Sequence, residues 1–373
     1  MKATVLQNDF NKWLAVVTRI VPSRGQLPVL ANVLIESEKE GIALSATNLE
    51  IGLRVIVGGK VTETGSITVP AKNFSEFINS LPTGNVELES EGEKLKVVGG
   101  SLAATFTGIA AAEFPVISRL ENVRDNKKVV RLKRKIIEEI AKEVAFCAAT
   151  DESRPVLTGV LFNVDGKFLK VTATDGFRLS RKLIELDDEI TGIDKGLILP
   201  ARTIMEMSKI LADGKKEGIE LGIVGESNQA VLGYENVELA SRVLEGNFPD
   251  VERIVPKEWK TEVVCEREEL LRAVRAVGIF ARDSANVVKF VVSSDGLKIE
   301  ASSAQTGESK VIVEAESEGE DVSIAFNYRY VLDFLASLSH ERIRLRVNDS
   351  LTAGVFGLDK REDLLHLIMP VRV

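Results

Sequence analysis

Ile42-Ala43-Leu44-Ser45-Ala46-Thr47 alternates apolar and polar side chains, and the chain writes this pattern three times. It returns as Leu169-Lys170-Val171-Thr172-Ala173-Thr174 and again as Leu297-Lys298-Ile299-Glu300-Ala301-Ser302, at offsets of 127 and 128 residues. Alternation of this kind sets one face against a core and the other toward water, as in a half-buried strand. Solenoid modules repeat at roughly 20–50 residues. A period this long makes each copy a complete domain.

Two further landmarks keep the same order. Ile67-Thr68-Val69-Pro70, Leu197-Ile198-Leu199-Pro200 and Ile324-Ala325-Phe326-Asn327 read as short strands, each ending where a helix begins. The helices that follow carry Phe74, Phe77, Ile78 and Leu81; Ile204, Met207 and Leu211; and Val331, Phe334, Leu335 and Leu338. This spacing gives a helix one buried face. Each unit also opens on a helical pattern: Phe10, Leu14 and Val17; Ile137, Ala141 and Val144; Leu270, Val274 and Val277. Every third therefore reads helix, strands, helix, strands, with turns such as Glu91-Gly92-Glu93 and Asp165-Gly166-Lys167 between strands. Polar stretches around Asn122–Lys128 and Pro256–Lys260 look like joints. Chance likeness among amphipathic segments does not readily yield three ordered landmarks at near-constant offset. The expectation is three homologous α+β domains, at 1–125, 126–256 and 257–373.

The bulk numbers agree. A chain of 373 residues is too long for one ordinary core, and 45% hydrophobic with 28% charged residues is a globular composition. No apolar run approaches the roughly 20 residues that span a bilayer. The segment from Met1 goes straight into an alternating pattern and lacks a signal-peptide core. Cys147 and Cys265 sit in apolar or strand-like stretches, as small buried hydrophobes do in a reducing compartment. The expected location is the cytoplasm.

Motifs that carry chemistry are missing. His340 and His366 lie in no His-x-x-x-His or Cys-x-x-Cys setting, which argues against a zinc site. There is no phosphate-binding Gly-x-x-x-x-Gly-Lys-Ser/Thr loop, no Gly-x-Gly-x-x-Gly after a strand, and no Gly-x-Ser-x-Gly elbow. Glu138-Glu139 and Glu268-Glu269 fall on helix surfaces, where solvated charge is the ordinary reading. Asp175, in Thr174-Asp175-Gly176-Phe177-Arg178, is the most tempting acid, yet Asp-Gly after a strand is first a turn signal.

A net charge of −8 disfavours a phosphate-binding surface unless the basic groups are segregated. The expected opening helices (9–24, 131–147, 266–282) carry +2, +2 and +1, the inner ones (70–82, 200–213, 327–342) are neutral, and everything else sums to −13. Basic residues recur seven apart on one helix side: Lys12 with Arg19, Lys135 with Lys142, Arg202 with Lys209, Arg275 with Arg282. Solvated helix faces explain such residues equally well. As a nucleic-acid surface, the pattern nominates Lys12, Lys135, Arg202 and Arg275.

Specific strings resemble the bacterial DNA polymerase III beta subunit family. They are Leu27-Pro28-Val29-Leu30-Ala31-Asn32, Arg154-Pro155-Val156-Leu157-Thr158-Gly159, Ala173-Thr174-Asp175-Gly176-Phe177-Arg178-Leu179, Gly246-Asn247-Phe248-Pro249-Asp250 and Ile368-Met369-Pro370-Val371-Arg372-Val373. The likeness spans essentially the full chain, and the Thr-Asp-Gly-x-Arg-Leu string with the Met-Pro-x-Arg tail is its most specific part. It implies three repeated clamp domains, a head-to-tail homodimeric ring with helices lining a central pore and antiparallel sheets outside, and duplex DNA held topologically through the pore. No catalysis, nucleotide, metal or cofactor is implied for the clamp itself. ATP belongs to the loader that opens it. Its partners would be the polymerase III catalytic subunit, the clamp loader and repair factors carrying short peptide motifs, with no membrane association.

Carried over by position, the peptide pocket comprises Leu157, Thr174, Gly176, Arg178, Leu179, Pro249, Arg253, Ile254, Asn327, Tyr330, Met369, Pro370, Val371 and Arg372. Ordinary core is an equal reading for Leu157, Leu179 and Ile254. Arg24 and Lys72 are the implied DNA contacts, and Phe106 would meet Ile279 and Phe280 of a second copy, although packing inside one domain accounts for these too. Phe177 stands where some relatives have histidine, Val373 where leucine often ends the chain, and Pro155-Val156 in a loop that is aromatic in certain members. Asp151 and Glu152 place negative charge near the supposed DNA side. Two other classes stay open: a monomeric, non-catalytic scaffold of the same fold, and a motif-less hydrolase or transferase built around Asp175 and Arg178.

Overall fold

The computed structural model describes residues 1–22, 27–124, 129–151, 153–189, 196–225, 228–283, 285–293 and 296–372. The first third runs β1 (Lys2–Leu6), α1 (Gln7–Thr18), β2 (Asn32–Glu38), β3 (Gly41–Thr47), β4 (Ile51–Glu63), β5 (Ser66–Pro70), α2 (Ala71–Ser80), β6 (Asn85–Glu91), β7 (Lys94–Gly99) and β8 (Leu102–Thr107), followed by the short α3 (Leu120–Arg124). The second repeats it as β9 (Val129–Lys133), α4 (Arg134–Glu143), β10 (Gly159–Asp165), β11 (Phe168–Thr174), β12 (Arg178–Glu185), β13 (Leu197–Pro200), α5 (Ala201–Leu211), β14 (Gly218–Val224), β15 (Gln229–Tyr234) and β16 (Val237–Arg242). The last comprises β17 (Thr261–Glu266), α6 (Arg267–Ala281), β18 (Val287–Ser293), β19 (Gly296–Ser303), β20 (Gly307–Val313), β21 (Ala315–Gly319), β22 (Val322–Asn327), α7 (Tyr328–Ser337), β23 (Arg342–Val347), β24 (Gly354–Leu358) and β25 (Leu364–Ile368). Besides the short α3, strand β21 is the one element added to the shared order among the described residues.

The quoted hexapeptides are β3, β11 and β19, and all three sit in matching register. Ala46 faces Leu53, Ala173 faces Ser180 and Ala301 faces Ser309 on the next strand. The turns that follow in the first two thirds are built alike. Thr47 and Thr174 each accept a backbone N–H two residues on and donate to a carbonyl four residues on. Asn48 and Asp175 each accept two more N–H groups through Oδ1. The left-handed position is Gly176 in one copy (φ +92) and Leu49 in the other (φ +75), where a Cβ is tolerated at some strain.

Helix extents depart from the sequence reading. Residues 131–133 belong to β9, because Val130 and Leu132 alternate inward and Leu132 pairs with Ile219 of β14. Helix α4 then stops at Glu143, where Val144 leaves helical geometry (φ −125), so Ile136, Ile137 and Ile140 form its buried face and Ala141 is only half-buried. Helix α1 ends at Thr18, shortly before Pro22, since the residue preceding proline avoids the helical region.

The chain divides into two compact units. One contains 1–135, 191–193 and 206–243; the other contains 136–190, 194–205 and 244–373. In the first unit, Ile51–Val55 of β4 pairs antiparallel with Val237–Ser241 of β16, so strands from two thirds form one sheet. Its core includes Phe10, Leu14, Val17, Phe74 and Ile78, with Phe10 and Phe74 in edge contact at 5.9 Å. In the second unit, Arg178–Lys182 of β12 pairs with Leu364–Ile368 of β25 in the same manner. One cluster in it gathers Leu270, Val274, Phe290, Phe326, Phe334 and Phe356 between α6, α7 and their sheets. Gly278 lets α6 approach α7, since a Cβ there would lie 2.7 Å from the Tyr328 ring.

Candidate functional site

The Asp175 turn positions Arg178, a side chain of the second unit with several partners. Besides its two backbone acceptances, Asp175 takes the Arg178 Nε–H on Oδ2 at 3.0 Å. The turn reading of this acid is thus realised, and the acid also orients Arg178. The guanidinium donates as well to Asp333 Oδ2 at 2.6 Å and to the Phe146 carbonyl at 3.2 Å. It stacks 4.6 Å from the Tyr330 ring and 5.5 Å from Phe146. Burial works against its charge, but its partners, Asp333 and Asp175 among them, outweigh that and raise its pKa. The same burial, with Asp175 nearby, raises the Tyr330 phenol.

Beside this cluster lies a cavity of about 180 Å³. Leu157, Thr174, Gly176, Arg178, Pro249, Ile254 and Met369 line it, all sequence candidates. Ile254 and Met369 are 46% and 39% exposed, so they form an open rim and not core. Leu179 lies beneath the cavity, fully buried in a cluster with Val251, Ala353 and Leu367. For Leu179 the core reading holds. Arg253 points outward and pairs with Asp250 at 2.8 Å. Asn327 caps α7, accepting the Arg329 N–H, and Tyr330 supports Arg178 from behind without lining the cavity. Pro370, Val371 and Arg372 lie outside the cavity lining. They follow a tail pinned by two backbone bonds, Met369 N–H to Phe177 O and Val371 N–H to Ala325 O, both 2.8 Å.

Sequence reasoning missed Arg154, Phe177, Asp250, Val251 and Leu367 as lining residues. Arg154 and Phe177 stood inside the quoted strings, and Phe177 is 64% exposed, so the signal was available. Under the site, His366 is sealed between Phe334 (4.5 Å, 9° between planes) and Phe146, with Cys147 Sγ 3.6 Å from Nδ1. Burial, then Arg178, lowers its pKa well below 6.5, while burial pushes the Cys147 thiol well up.

The basic candidates fare unequally. Lys72 on α2, Arg202 on α5 and Arg275 on α6 are exposed and have no ion pair among the described residues. Lys135, exposed in the first turn of α4, has an interaction of its own. Lys12 is bound to Asp213 at 3.2 Å, and its companion Arg19 to Glu206 at 3.6 Å, which weakens the charge argument for α1. Arg24, Glu152 and Val373 fall outside the described residues. Arg275 shares an open groove of about 500 Å³ with Ile279, Arg282 and Arg329.

Of the seam candidates, Ile279 is 55% exposed, whereas Phe280 packs partly against the core. Phe106 is half-buried on β8 against Phe74 and Phe77, at 5.3 and 5.7 Å. Strand β8 ends its sheet, and β20 ends another. Among the described residues no group of three or more His, Cys, Asp or Glu is placed to hold a metal, and no helix is long and apolar enough to cross a membrane.

Comparison with known proteins bears on this arrangement. Models of the DNA polymerase III beta subunit match in chain order: its N-terminal domain at residues 1–118, its central domain at 131–250 and its C-terminal domain at 252–372. The beta sliding clamp of Synechocystis sp. is 30% identical over 398 residues, covering all of both chains. That of Chlamydia muridarum is 29% identical, covering all of this chain and 99% of its own. The crystal structure of the DNA polymerase sliding clamp from Bacillus subtilis superposes with a TM-score of 0.93 at 27% identity, over 100% and 99% of the two chains. The DNA polymerase III beta subunit of Thermotoga maritima gives 0.90 at 27%, with the same coverage.

Proposed function

The chain belongs to the DNA polymerase III beta subunit family, the beta sliding clamps, and from that premise we propose that two copies close head to tail into a ring around duplex DNA. The ring does no chemistry of its own. It tethers the replicative polymerase and other factors, which dock short peptides in the Leu157–Met369 cavity, and it is placed on DNA by a loader. Its place of work is the cytoplasm.

One observation carries the ring. The same joint is made twice within one chain: the fourth strand of a third pairs with the last strand of the next, as β4 with β16 and β12 with β25. The remaining strands at these positions are β20 and β8, each at the end of its sheet. A joint that links unlike surfaces closes into a ring when its rotation permits. The register follows from the repeat. Leu239 and His366 face Leu53 and Ser180, and the matching positions are Ala104 on β8 and Ser309 on β20. Ala104 then meets the partner's Ser309, Phe106 meets the partner's Gly307 and Leu102 meets the partner's Val311. Ala104, Phe106, Ser309 and Val311 are half-buried in the single chain, while Ala103, Thr105, Glu308 and Lys310 between them are exposed. The two edges thus present matching faces.

Lys72, Arg202 and Arg275 supply positive charge without ion-pair partners among the described residues, and with Lys135 and Arg24 they are the proposed DNA contacts. Contacts to phosphate alone carry no sequence information, so such a ring can slide. The test is mass in solution by light scattering, then retention on nicked circular against linear DNA with loader and ATP. A dimer held on the circle and lost from the linear form supports the ring. A monomer equally retained on both leaves the scaffold reading.

A further inference from the structure

Resting on the ring reading, we propose that Glu76 of each copy accepts the Arg282 guanidinium of the other, so that the partner's α2 fills the open groove beside α6. The inner helix of every third carries a carboxylate at the same place, six residues past the end of its leading strand: Glu76 after Pro70, Glu206 after Pro200 and Asp333 after Asn327. Two of the three already hold a guanidinium from the preceding third. Glu206 pairs with Arg19 at 3.6 Å, and Asp333 with Arg178 at 2.6 Å. The two guanidinium groups occupy matching places. Arg19 is the C-cap of α1, and its counterpart by the helix pattern is Phe146, whose carbonyl and ring receive Arg178 at 3.2 and 5.5 Å. Glu76 is exposed and has no ion pair among the described residues, not even with Lys72 one turn earlier. In a head-to-tail ring, the third that precedes the first is the last third of the second copy.

That last third has the matching place open. The residue corresponding to Arg19 and Phe146 is Ile279, which is 55% exposed. Helix α6 runs three residues further than α1 from a matching start, so its C-cap is Arg282, in helical geometry (φ −56, ψ −41). About one turn separates Ile279 from Arg282, and helical side chains lean toward the N-terminus, which lays the Arg282 stem over Ile279. Arg282 is exposed, has no ion pair among the described residues, and lines the groove with Arg275, Arg329 and Asp333. Asp333 is already held by Arg178, so the groove is net positive. Phe77, next to Glu76 on α2, lies 5.7 Å from Phe106 of β8, and α6 packs on β20. Pairing β8 with the partner's β20 therefore carries α2 toward the partner's α6.

The test uses full-length protein, with the dimer dissociation constant read by fluorescence-detected sedimentation over a dilution series at low salt. The unaltered chain is compared with Glu76→Arg, Arg282→Glu and the variant carrying both. Either single variant sets like charges against each other and should weaken the dimer about tenfold. The double variant restores the pair in reverse and should return to within about threefold of the unaltered chain. Glu76→Arg combined with Arg329→Glu, in the same groove, should gain no such recovery, which separates a specific pair from a general change of charge; equal recovery there would overturn the assignment of Arg282. Single variants that dissociate like the unaltered chain, or a double variant that adds the two losses, overturn the proposal and leave the ring standing. An unaltered chain that is monomeric at every concentration overturns the ring as well.

Discussion

Lys182 is 4% exposed, with its ammonium 2.5 Å from Glu143, 3.0 Å from Glu139 and 3.7 Å from Asp363. Burial opposes its charge, but the Glu143 and Glu139 contacts prevail and raise its pKa. It sits where β12 joins β25, opposite Leu364. Lys182→Met keeps the stem and removes the cation the carboxylates share. Breaking a buried pair from one side costs roughly 3–5 kcal/mol. The carboxylate side chains are 17–28% exposed and retain some water, which puts the loss at the low end, about 3 kcal/mol. At about 2–4 °C per kcal/mol for a unit of this size, the second unit should melt about 6–12 °C lower by calorimetry at pH 7.5. Most of the cost is stranded negative charge. Adding Glu139→Gln and Glu143→Gln should therefore recover most of the loss. A drop under about 2 °C, or no recovery in the triple variant, would refute the reasoning.

His366 predicts a different pH response. Its folded pKa is depressed, so the unfolded chain takes the proton first, and stability falls as pH drops below 6.5 toward the folded value, by at most about 1.4 kcal/mol per unit. Replacing it with leucine, the residue at the matching position 239, should flatten the melting temperature between pH 6.5 and 5; an unchanged slope would remove His366 as the cause. Asp175→Ala deletes three hydrogen bonds, two of them holding the turn. It should cost about 1–3 kcal/mol in denaturant unfolding and weaken peptide binding; loss of neither would show that the turn stands without it.

The triplication was legible because each third repeats strand alternation and helix spacing, which are properties of neighbours in sequence. Where two local patterns competed, reading was poorer. Val130-Arg131-Leu132 carries an alternation that belongs to β9, whereas the helix read from Ile137, Ala141 and Val144 was carried back to residue 131. Charge was the least legible. Lys12 and Arg19 look like a free basic stripe until folding brings Asp213 and Glu206 beside them. Likewise, Arg178 looks available for a ligand until Asp333, 155 residues away, takes it. The pocket residues Leu157, Thr174, Gly176, Pro249 and Met369 were found through resemblance, since nothing in their spacing links them. Ala104 and Ser309 became informative only once two existing joints revealed the register of a third.

That third joint is the central claim, and a cysteine pair tests it directly. Residues facing each other across antiparallel strands lie about 4.5–5.5 Å apart between Cα atoms, within reach of a disulfide. Cys147 and Cys265 are buried and do not compete. The variant carrying both Ala104→Cys and Ser309→Cys, oxidised and run without reductant, should migrate as a covalent dimer, while either single variant stays a monomer. Covalent dimer in a single variant, or none in the double, would contradict the ring as drawn.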